Sequence, residues 1–441
     1  MGPVIDPADT DSDLPAHAAI VVIGGGIIGV SAALHLARQG VSVLLCEKGK
    51  LAGEQSSRNW GWVRKTGRDL REVPLIIESL RMWGELTREG LPTGFTECGV
   101  LYVSRSDDDR ERYERWLDRV SSYQMGSRMV DGDELASLLP GATKRFGSAL
   151  YTKTDGRAEP QKAVPALAAA ARAAGAVLVE NCAVRGLDLM RGRVAGVVTE
   201  RGRVACESVI LASGAWSRLF CGSLGLRLPQ LKTRSSVLRT GPLEGGPETS
   251  AWLGSCAYRK RADGGYTIAN GSANIVPITP DTFRFFSEFL PAARSERRSL
   301  RLRLDDRFLA EARTPKRWDL DKPSPFETTR MLDPDPVPSI NDAAVRDLQE
   351  VFPVFRKAAV AQQWAGLIDV TPDAVPVISE VDTVPGLVVA TGFSGHGFGI
   401  GPAAGRLAAE IATARAPIVD PTPFRFSRFT DGTPISLESA L

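Results

Sequence analysis

Three glycines spaced for contact with a pyrophosphate follow the first apolar run of this 441-residue chain. Gly24 permits a tight turn, Gly26 lets a phosphate approach the backbone, and Gly29 lets the next helix pack closely on its strand. A second apolar run, residues 41–46, ends at Glu47, where a carboxylate can bind the hydroxyls of a ribose. The strand, turn, helix, strand and acid together predict a dinucleotide-binding unit of the Rossmann type.

The elements that must position this site recur at distant places in the chain. Apolar runs return at residues 177–179 and 209–212, and a run at 386–391 leads into the glycine-rich turn 392–401. Residues 222–350 lose the alternation of strand and helix patterns. We therefore predict an α/β fold, with a Rossmann-type dinucleotide-binding domain built from discontinuous segments and an α+β domain with a mixed or antiparallel sheet. The predicted boundaries are 18–80, 150–221 and 355–441 for the first domain, and 81–149 and 222–354 for the second.

The composition is that of an ordinary globular protein. The formal charge is +2, and 43% of the residues are hydrophobic and 24% charged, so no nucleic-acid partner is expected. The six cysteines are scattered and only three histidines occur, which argues against a metal site and favours a reducing compartment.

The first residues of the chain differ in character from the rest. Residues 1–17 hold four aspartates and no basic residue, and we expect a disordered leader rather than a targeting peptide. Residues 18–37 are apolar enough to resemble a membrane span, but the glycines and the prompt return to a strand favour a buried parallel sheet. We expect a cytoplasmic protein without a transmembrane segment.

Taken in order, these motifs resemble the D-amino-acid oxidase superfamily of flavoenzymes, which includes glycine oxidase, sarcosine oxidase and bacterial D-amino-acid dehydrogenases. Besides the first glycine motif and Glu47, the resemblance rests on segments that extend the match to roughly residues 19–405: Ser56-Ser57, 177–184, 209–216, Trp364-Ala365-Gly366, Thr371-Pro372-Asp373 and 392–401. A nicotinamide enzyme would share only the first motif, so the resemblance implies FAD.

The resemblance also implies how FAD is held. The implied cofactor-binding residues are Gly24, Gly26, Gly29, Glu47 and Lys48 at the ADP half, Ser56 and Ser57 at the pyrophosphate and ribityl chain, Val184 at the adenine, Gly61, Trp62, Gly214, Trp216 and Gly395 along the remaining surface, and Gly397, Gly399 and Ile400 near flavin N1. The helix that begins there would stabilise negative charge on the reduced flavin. Neither the histidine nor the cysteine through which some members bind flavin covalently is present, which implies non-covalent FAD.

Two carboxylate anchors that are usual in the family are missing. Ile368 lies in the stretch in which glycine oxidase-like members carry an arginine. Gly399 occupies the position at which sarcosine oxidase-like members carry a lysine. Arg64 is the surviving candidate, because a guanidinium fork suits a carboxylate. The alternative is an ordinary surface arginine beside Lys65.

Four further residues are candidates for the substrate site, each with a simpler alternative. Asp369 can hold a substrate cation, or it can cap its own loop before Thr371. His396 is the candidate catalytic residue, and it can instead hydrogen-bond its turn. Tyr258 and Trp364 can line the substrate space, or they can pack in the core.

The resemblance implies oxidation of the C–N bond of an amine or amino acid by hydride transfer to flavin N5, followed by hydrolysis of the imine. Two alternatives stay open: FAD-dependent oxidation of a hydroxy acid or other alcohol, and a flavoprotein whose FAD is not catalytic. The electron acceptor would be O2, a quinone or a redox protein, and a homo-oligomer is also open. The arginine-rich segment 283–308 fits an edge strand at 300–304, a dimer contact, or a helix facing a membrane or partner.

Overall fold

The computed structural model of the chain describes residues 2–271, 274–295 and 300–437. Its strands, in chain order, are β1 (Ile20–Ile23), β2 (Val43–Cys46), β3 (Trp62–Val63), β4 (Thr96–Glu97), β5 (Val100–Val103), β6 (Ser127–Asp131), β7 (Ser148–Thr152), β8 (Gly156–Arg157), β9 (Val177–Val179), β10 (Val184–Met190), β11 (Arg193–Thr199), β12 (Gly202–Ala205), β13 (Ser208–Leu211), β14 (Leu231–Thr240), β15 (Ser250–Trp252), β16 (Ala257–Lys260), β17 (Tyr266–Ala269), β18 (Asn274–Pro277), β19 (Leu300–Arg303), β20 (Val360–Val370), β21 (Val377–Glu380) and β22 (Leu387–Thr391). Its helices are α1 (Ile27–Arg38), α2 (Gln55–Arg58), α3 (Val73–Arg88), α4 (Asp107–Val120), α5 (Gly132–Leu138), α6 (Pro160–Ala173), α7 (Ser217–Ser223), α8 (Pro280–Arg284), α9 (Phe286–Ser295), α10 (Arg307–Arg313), α11 (Pro325–Thr328), α12 (Pro338–Val351) and α13 (Gly397–Ala412).

One sheet has the topology of a nucleotide-binding domain. Its strands lie in the order β21-β22-β13-β1-β2-β9. The neighbours from β22 to β9 run parallel, and β21 pairs antiparallel with β22 at one edge. Because β1 lies between β2 and β13, the chain leaves β1 towards one side and later returns to the other. Ligands bind at such a switch point in open α/β sheets, outside the carboxyl ends of the strands.

Both faces of this sheet are covered, which explains why its strands are apolar throughout. Ile20 and Val22 of β1 pack with α1, α6 and α13. Val21 and Ile23 face the opposite cluster, to which β10, β11 and β12 contribute. The two sets separate because successive side chains of a strand point to opposite faces.

Helices α1 and α13 approach each other closely through glycines of α13. A Cβ atom added to Gly405 would lie 2.6 Å from the backbone N of Ala32 and 2.7 Å from the carbonyl O of Ile28. A Cβ atom added to Gly401 would overlap the side chain of Ile27. The missing side chains therefore allow the two helices to pack closely side by side.

The second, larger sheet combines segments from several parts of the chain. Its strands lie in the order β19-β18-β14-β17-β16-β15-β5-β7-β6, and β20 also pairs with β14. The pairs β5–β15 and β18–β19 are parallel, and the long pair β14–β20 is antiparallel. Leu348 of α12 packs against Tyr258 and Phe355 on one face of this sheet.

The predicted fold class is confirmed, and the structure differs from the prediction in where some strands go. Strands β7 and β20 belong to the larger sheet, although their residues fall largely in the predicted first-domain segments 150–221 and 355–441. A strand pattern shows that a strand forms but not which sheet it joins. Residues 300–303 form β19 at a sheet edge, as their alternating pattern predicts, whereas residues 296–299 of the arginine-rich segment lie outside the described residues.

Residues 2–17 lie against the first domain, which corrects the expectation of a disordered leader. The backbone N–H of Asp6 donates to the carbonyl of Gln161. The carboxylate of Asp11 accepts hydrogen bonds from Arg172 and from the N–H of Leu178, both at 2.9 Å. An aspartate that suggested disorder therefore pairs with polar groups of α6 and β9.

The apolar stretch 18–37 forms β1, the glycine turn and most of α1, as the parallel-sheet interpretation predicts. Within the described ranges, no helix combines the length and the apolar content needed to cross a membrane.

We expect Gly405→Ala to lower the free energy of unfolding by about 1–3 kcal/mol, because the added methyl group must push two helix backbones apart. Urea unfolding followed by circular dichroism measures this change. The matched control is Gly84→Ala in α3, where the added Cβ would meet only the flexible Nη1 of Arg88, at 3.5 Å. That control should stabilise the helix by up to about 1 kcal/mol. Equal stabilities of the two variants would contradict the close packing of α1 and α13.

Candidate active site

A cavity of about 590 Å³ opens beside the carboxyl ends of the parallel strands. It is lined by the β1–α1 turn, the segment after β2, the turn after β13, the end of β20 and the start of α13. Ser235 and Val237 of β14 line it from the larger sheet. Sites for small molecules and cofactors typically enclose about 300–1,000 Å³. Segments that are far apart in sequence therefore meet at one cavity of the size a ligand needs.

The turn between β1 and α1 has the close contacts that its glycines predict. Gly24 has a φ of +112°, and a Cβ atom there would lie 2.5 Å from the carbonyl O of Ala212. A Cβ atom on Gly26 would lie 3.0 Å from Oγ of Ser56, which accepts the N–H of Ile27 at 2.9 Å. The first turn of α1 lies at the cavity, where its amides and dipole suit an anion.

Glu47 follows β2 at the same end of the cavity. Its Oε2 accepts the N–H of Gly25 and its Oε1 accepts the N–H of Gly49, both at 2.7 Å. Burial raises the pKa of Glu47, and the two amides oppose that rise. A carboxylate fixed at the end of the second strand can accept hydrogen bonds from ribose hydroxyls.

Lys48 and Trp216 form the adjoining wall. The Nζ of Lys48 donates to the carbonyls of Thr329 and Arg330, at 2.9 and 2.6 Å, and lies 4.1 Å from the ring centroid of Trp216. The indole N–H of Trp216 donates to Glu54 at 3.0 Å. Burial lowers the pKa of Lys48. Lys48 therefore ties residues 329–330 to the cavity wall.

The structure brings most of the predicted cofactor residues to the cavity surface. Those that line it are Gly24, Gly26, Glu47, Lys48, Ser56, Gly61, Trp62, Val184, Gly214, Trp216, Gly395, Gly397 and Gly399. Gly29 and Ile400 are instead buried beneath that surface, and the hydroxyl of Ser57 donates to the carbonyl of Glu54 at 3.3 Å. A motif predicts a turn as a whole, and some of its residues pack the turn rather than line the cavity.

The glycine-rich turn before α13 forms another end of the cavity. The carbonyl of Gly399 accepts hydrogen bonds from Oγ of Ser79 at 2.7 Å and from the indole N–H of Trp83 at 2.9 Å. A Cβ atom on Gly399 would lie 3.2 Å from both the carbonyl O of Trp62 and Nη2 of Arg68. Helix α3 thus holds a second helix N-terminus at the cavity that α1 also faces.

Arg64 lines the cavity against an aromatic wall. Its guanidinium carbon lies 5.3 Å from the ring centroid of Tyr102 and 6.0 Å from that of Trp62. One of its guanidinium nitrogens donates to the carbonyl of Thr66. Aromatic faces attract a planar cation, and a guanidinium held this way can bind a carboxylate through two nitrogens.

His396 stands at the start of α13 beside a charge pair that the sequence reasoning missed. Nη1 of Arg68 lies 3.2 Å from Oε2 of Glu72, and the two side chains are 3% and 0% exposed. The same Oε2 lies 3.3 Å from Nδ1 of His396. Burial lowers the pKa of His396, and the charge of Glu72 opposes this. Arg68 and Glu72 lie in turns that precede α3, so no helical or strand periodicity in the sequence marks the pair.

The other substrate candidates are engaged in the protein's own packing. Asp369 is 2% exposed, and its Oδ2 accepts the N–H of Gly392 at 2.8 Å and Nε2 of Gln230 at 2.9 Å. These contacts tie Asp369, which lines the cavity, to the turn after β22 and to Gln230 rather than to its own loop before Thr371. Trp364 and Tyr258 are each 1% exposed and pack in core clusters. Within the described part of the chain, neither belongs to the cavity surface.

The geometry agrees with comparisons between this chain and known proteins. The family model described as FAD dependent oxidoreductase matches residues 19–411. The match covers most of the chain, which therefore belongs to the FAD dependent oxidoreductase family.

Individual proteins resemble the chain over different lengths. The structure of L-amino acid deaminase from Proteus myxofaciens, in complex with anthranilate, has 31% sequence identity and a TM-score of 0.94, covering 98% of this chain and 97% of that one. Glycine oxidase from Pseudomonas putida is 26% identical, over 92% of this chain and 97% of that protein. Human mitochondrial sarcosine dehydrogenase is 30% identical over 53% of this chain and 26% of that protein. The chain spans about a quarter to a half of the length of the first curated relatives that it matches.

The chain therefore belongs to a family of FAD-dependent oxidoreductases, and its cavity fits that cofactor. Two helix N-termini, those of α1 and α13, face the cavity and suit the phosphates and the flavin ring respectively. The indole Nε1 of Trp62 is a buried donor without a partner among the described residues, and Trp62 lines the cavity. The superfamily, the fold class and the FAD that the sequence predicts are confirmed.

We expect Glu47→Gln to weaken FAD binding by about 10- to 100-fold, because hydrogen bonds to a charged group contribute about 1.5–3 kcal/mol. Flavin absorbance per chain after dialysis, followed by titration with FAD, measures the loss. The matched control is Glu180→Gln, because Glu180 also binds a backbone amide nearby, that of Leu51 at 2.6 Å, but does not line the cavity. If both variants bound FAD as tightly as the unsubstituted protein, Glu47 would have no role in holding the cofactor.

Proposed function

We propose that this enzyme oxidises the C–N bond of an amino acid, or of an amine that carries a carboxylate, with non-covalently bound FAD as the acceptor. One observation carries the proposal: the Arg64 side chain lines the cavity together with His396 and the start of α13. The charge of Arg64 is near enough to His396 to help lower the pKa of that imidazole. A cation at this place provides a partner for a carboxylate.

Arg64 would fix one end of the substrate. A bidentate contact with a carboxylate sets both the position and the orientation of the bound molecule. Tyr102 and Trp62 restrict the guanidinium from the sides, so little freedom is lost when the carboxylate binds. Positioning of this kind supplies much of the rate enhancement in reactions that need few protein side chains as chemical catalysts.

FAD, when bound, supplies the acceptor for the hydrogen and electron pair that leave the carbon next to nitrogen. The amides at the start of α13, which line the cavity, would stabilise negative charge on a flavin ring bound beside them, because fixed dipoles need no reorganisation. The neutral amine is the reactive form, since its lone pair supports the iminium that forms. Hydrolysis of the imine would then give an oxo product and ammonia or a smaller amine.

Two positions support non-covalent attachment of the flavin. The loop in which a histidine would be needed holds Ser57, Arg58 and Asn59, and Arg58 forms an ion pair with Asp333 at 2.7 Å and donates to the carbonyl of Ala365 at 2.9 Å. No cysteine stands near Gly366 in the sequence.

The names of similar proteins also support an amino acid or amine as substrate. They refer to an L-amino acid deaminase, glycine oxidases, sarcosine dehydrogenases and a 4-methylaminobutanoate oxidase. The compounds in these names, which are L-amino acids, glycine, sarcosine and 4-methylaminobutanoate, each carry both a nitrogen and a carboxylate.

Anaerobic bleaching of the flavin tests the proposed function. We expect at least one amine among glycine, sarcosine, L- and D-alanine, L- and D-phenylalanine and 4-methylaminobutanoate to reduce the flavin, whereas glycolate and L-lactate do not. Reduction by the hydroxy acids alone would support the alcohol-oxidising alternative. A flavin that dithionite reduces but none of these compounds does would indicate a non-catalytic FAD.

We expect Arg64→Met to lower the second-order rate of flavin reduction by an amino acid about 30-fold or more, because truncating one member of a buried charge pair costs about 2–5 kcal/mol. Stopped-flow measurement of flavin reduction gives this rate, and Arg64→Lys should lose less. The control is Arg88→Met, an exposed arginine on α3 outside the cavity. Equal rates for the Arg64→Met and Arg88→Met variants would remove Arg64 from the substrate site.

A further inference from the structure

A buried charge pair, Arg68 and Glu72, lies beside the cavity, and Arg68 contributes to the cavity lining. Arg68 and Glu72 are almost fully enclosed, and taking two charges out of water is costly unless other contacts compensate. Glu72 stands immediately before α3, and Arg68 lies in the turn that leads to it. Because the pair lies beside His396, it can act on the position and the protonation of that side chain.

Arg68 joins two backbone segments that border the cavity. Its Nε donates to the carbonyl of Arg64 at 3.1 Å, and its Nη2 donates to the carbonyl of His396 at 3.3 Å. Arg68 itself is held by Trp116, whose indole N–H donates to the Arg68 carbonyl at 2.9 Å. One guanidinium therefore fixes the spacing between the residue that would bind the carboxylate and the residue that opens α13.

Glu72 faces one edge of the His396 ring. Its Oε2 lies 3.3 Å from Nδ1, and neither Nδ1 nor the Oε1 of Glu72 has a hydrogen-bond partner among the described residues. Because Nδ1 faces Glu72, Nε2 is the nitrogen at the opposite edge of the ring. The His396 side chain is 17% exposed and lines the cavity.

We propose that Arg68 positions His396 and that Glu72 strengthens its affinity for a proton, so that Nε2 accepts the proton of the substrate's ammonium group. This inference rests on the proposed function. In the step, an N–H bond of the ammonium breaks, its electron pair stays on nitrogen, and the proton binds Nε2. The neutral amine that results is the form whose lone pair supports C–N oxidation. Arg68 and Glu72 are positioning residues, since they act through His396.

The charges around His396 agree with this role. Glu72 favours the protonated imidazole, whereas burial, Arg68 and Arg64 favour the neutral one and together lower the pKa of His396. Although burial raises the pKa of Glu72, His396 and Arg68 hold it below its usual range, so Glu72 is ionised at neutral pH. His396 is therefore neutral and can accept a proton, and Glu72 stabilises the protonated imidazole that results.

Titration of the histidines by NMR tests the inference without any turnover. The chain has only three histidines, so His396→Asn identifies the signal of interest in the protein as purified. We expect Glu72→Gln to lower the pKa of His396 by about one unit or more, the effect of removing an opposite charge within about 4–6 Å. Should that variant fail to fold, Glu72→Asp, which withdraws the carboxylate by one methylene, should lower the pKa by a smaller amount.

The chain offers a matched control at the far end of α13. Glu410 is also buried and paired with an arginine, lying 2.7 Å from Nε of Arg406. Its charge acts on His35, whose pKa burial and the nearby arginines lower to about 4. Glu410→Gln should therefore lower the pKa of His35 and leave that of His396 unchanged. Glu72→Gln should lower the pKa of His396 and leave that of His35 unchanged.

An unchanged His396 titration in Glu72→Gln would overturn the inference, whatever the enzyme's activity. Flavin reduction by an active amino acid from the bleaching series gives a second readout: its pH profile should move with the NMR-determined pKa in Glu72→Gln and stay in place in Glu410→Gln. A profile that does not move would also overturn the inference. If no amine reduces the flavin, the proposed function and the proton transfer fail together, and the titration still decides whether the pair tunes His396.

Discussion

The close approach of α1 and α13 is the constraint on which the rest of the site depends. A parallel strand that ends in a turn and a helix directs that helix's N-terminus outwards at the carboxyl edge of the sheet. Here two such helices, which begin at Ile27 and Gly397, lie side by side because Gly401 and Gly405 leave room for α1. Two positive helix ends therefore face one cavity. If α1 and α13 were further apart, the phosphates bound at the N-terminus of α1 would lie far from the N-terminus of α13.

Two buried charge pairs, Arg68–Glu72 and Arg259–Glu159, connect segments that border the cavity. Arg259 of β16 forms a two-point contact with Glu159 at 2.7 and 3.1 Å and also donates to the carbonyl of Trp60, a residue of the cavity wall. A buried charge is costly when its partner is lost, so such pairs hold both segments in one arrangement. These contacts therefore hold the larger sheet, through β16, against the segments that precede β3 and α6.

The sequence was most informative where chemistry depends on neighbours along the chain. The β1–α1 turn, Glu47 and the glycine-rich turn before α13 lie at the cavity as predicted, because each motif specifies a local backbone path. Contacts between distant segments were not accessible in this way. The pairing of β20 with β14 leaves no mark on either strand alone. Tyr258 lies on β16, where a one-residue change of register decides which face of the sheet a side chain occupies.

A crystal structure of the FAD-loaded protein with benzoate, a carboxylate that lacks an amine, tests the central claim most directly. The structure described here predicts the ADP moiety beside Gly26 and Glu47, the flavin ring at the start of α13, and the benzoate carboxylate on the guanidinium of Arg64. A flavin ring placed away from Gly397, or a carboxylate bound away from Arg64, would contradict it.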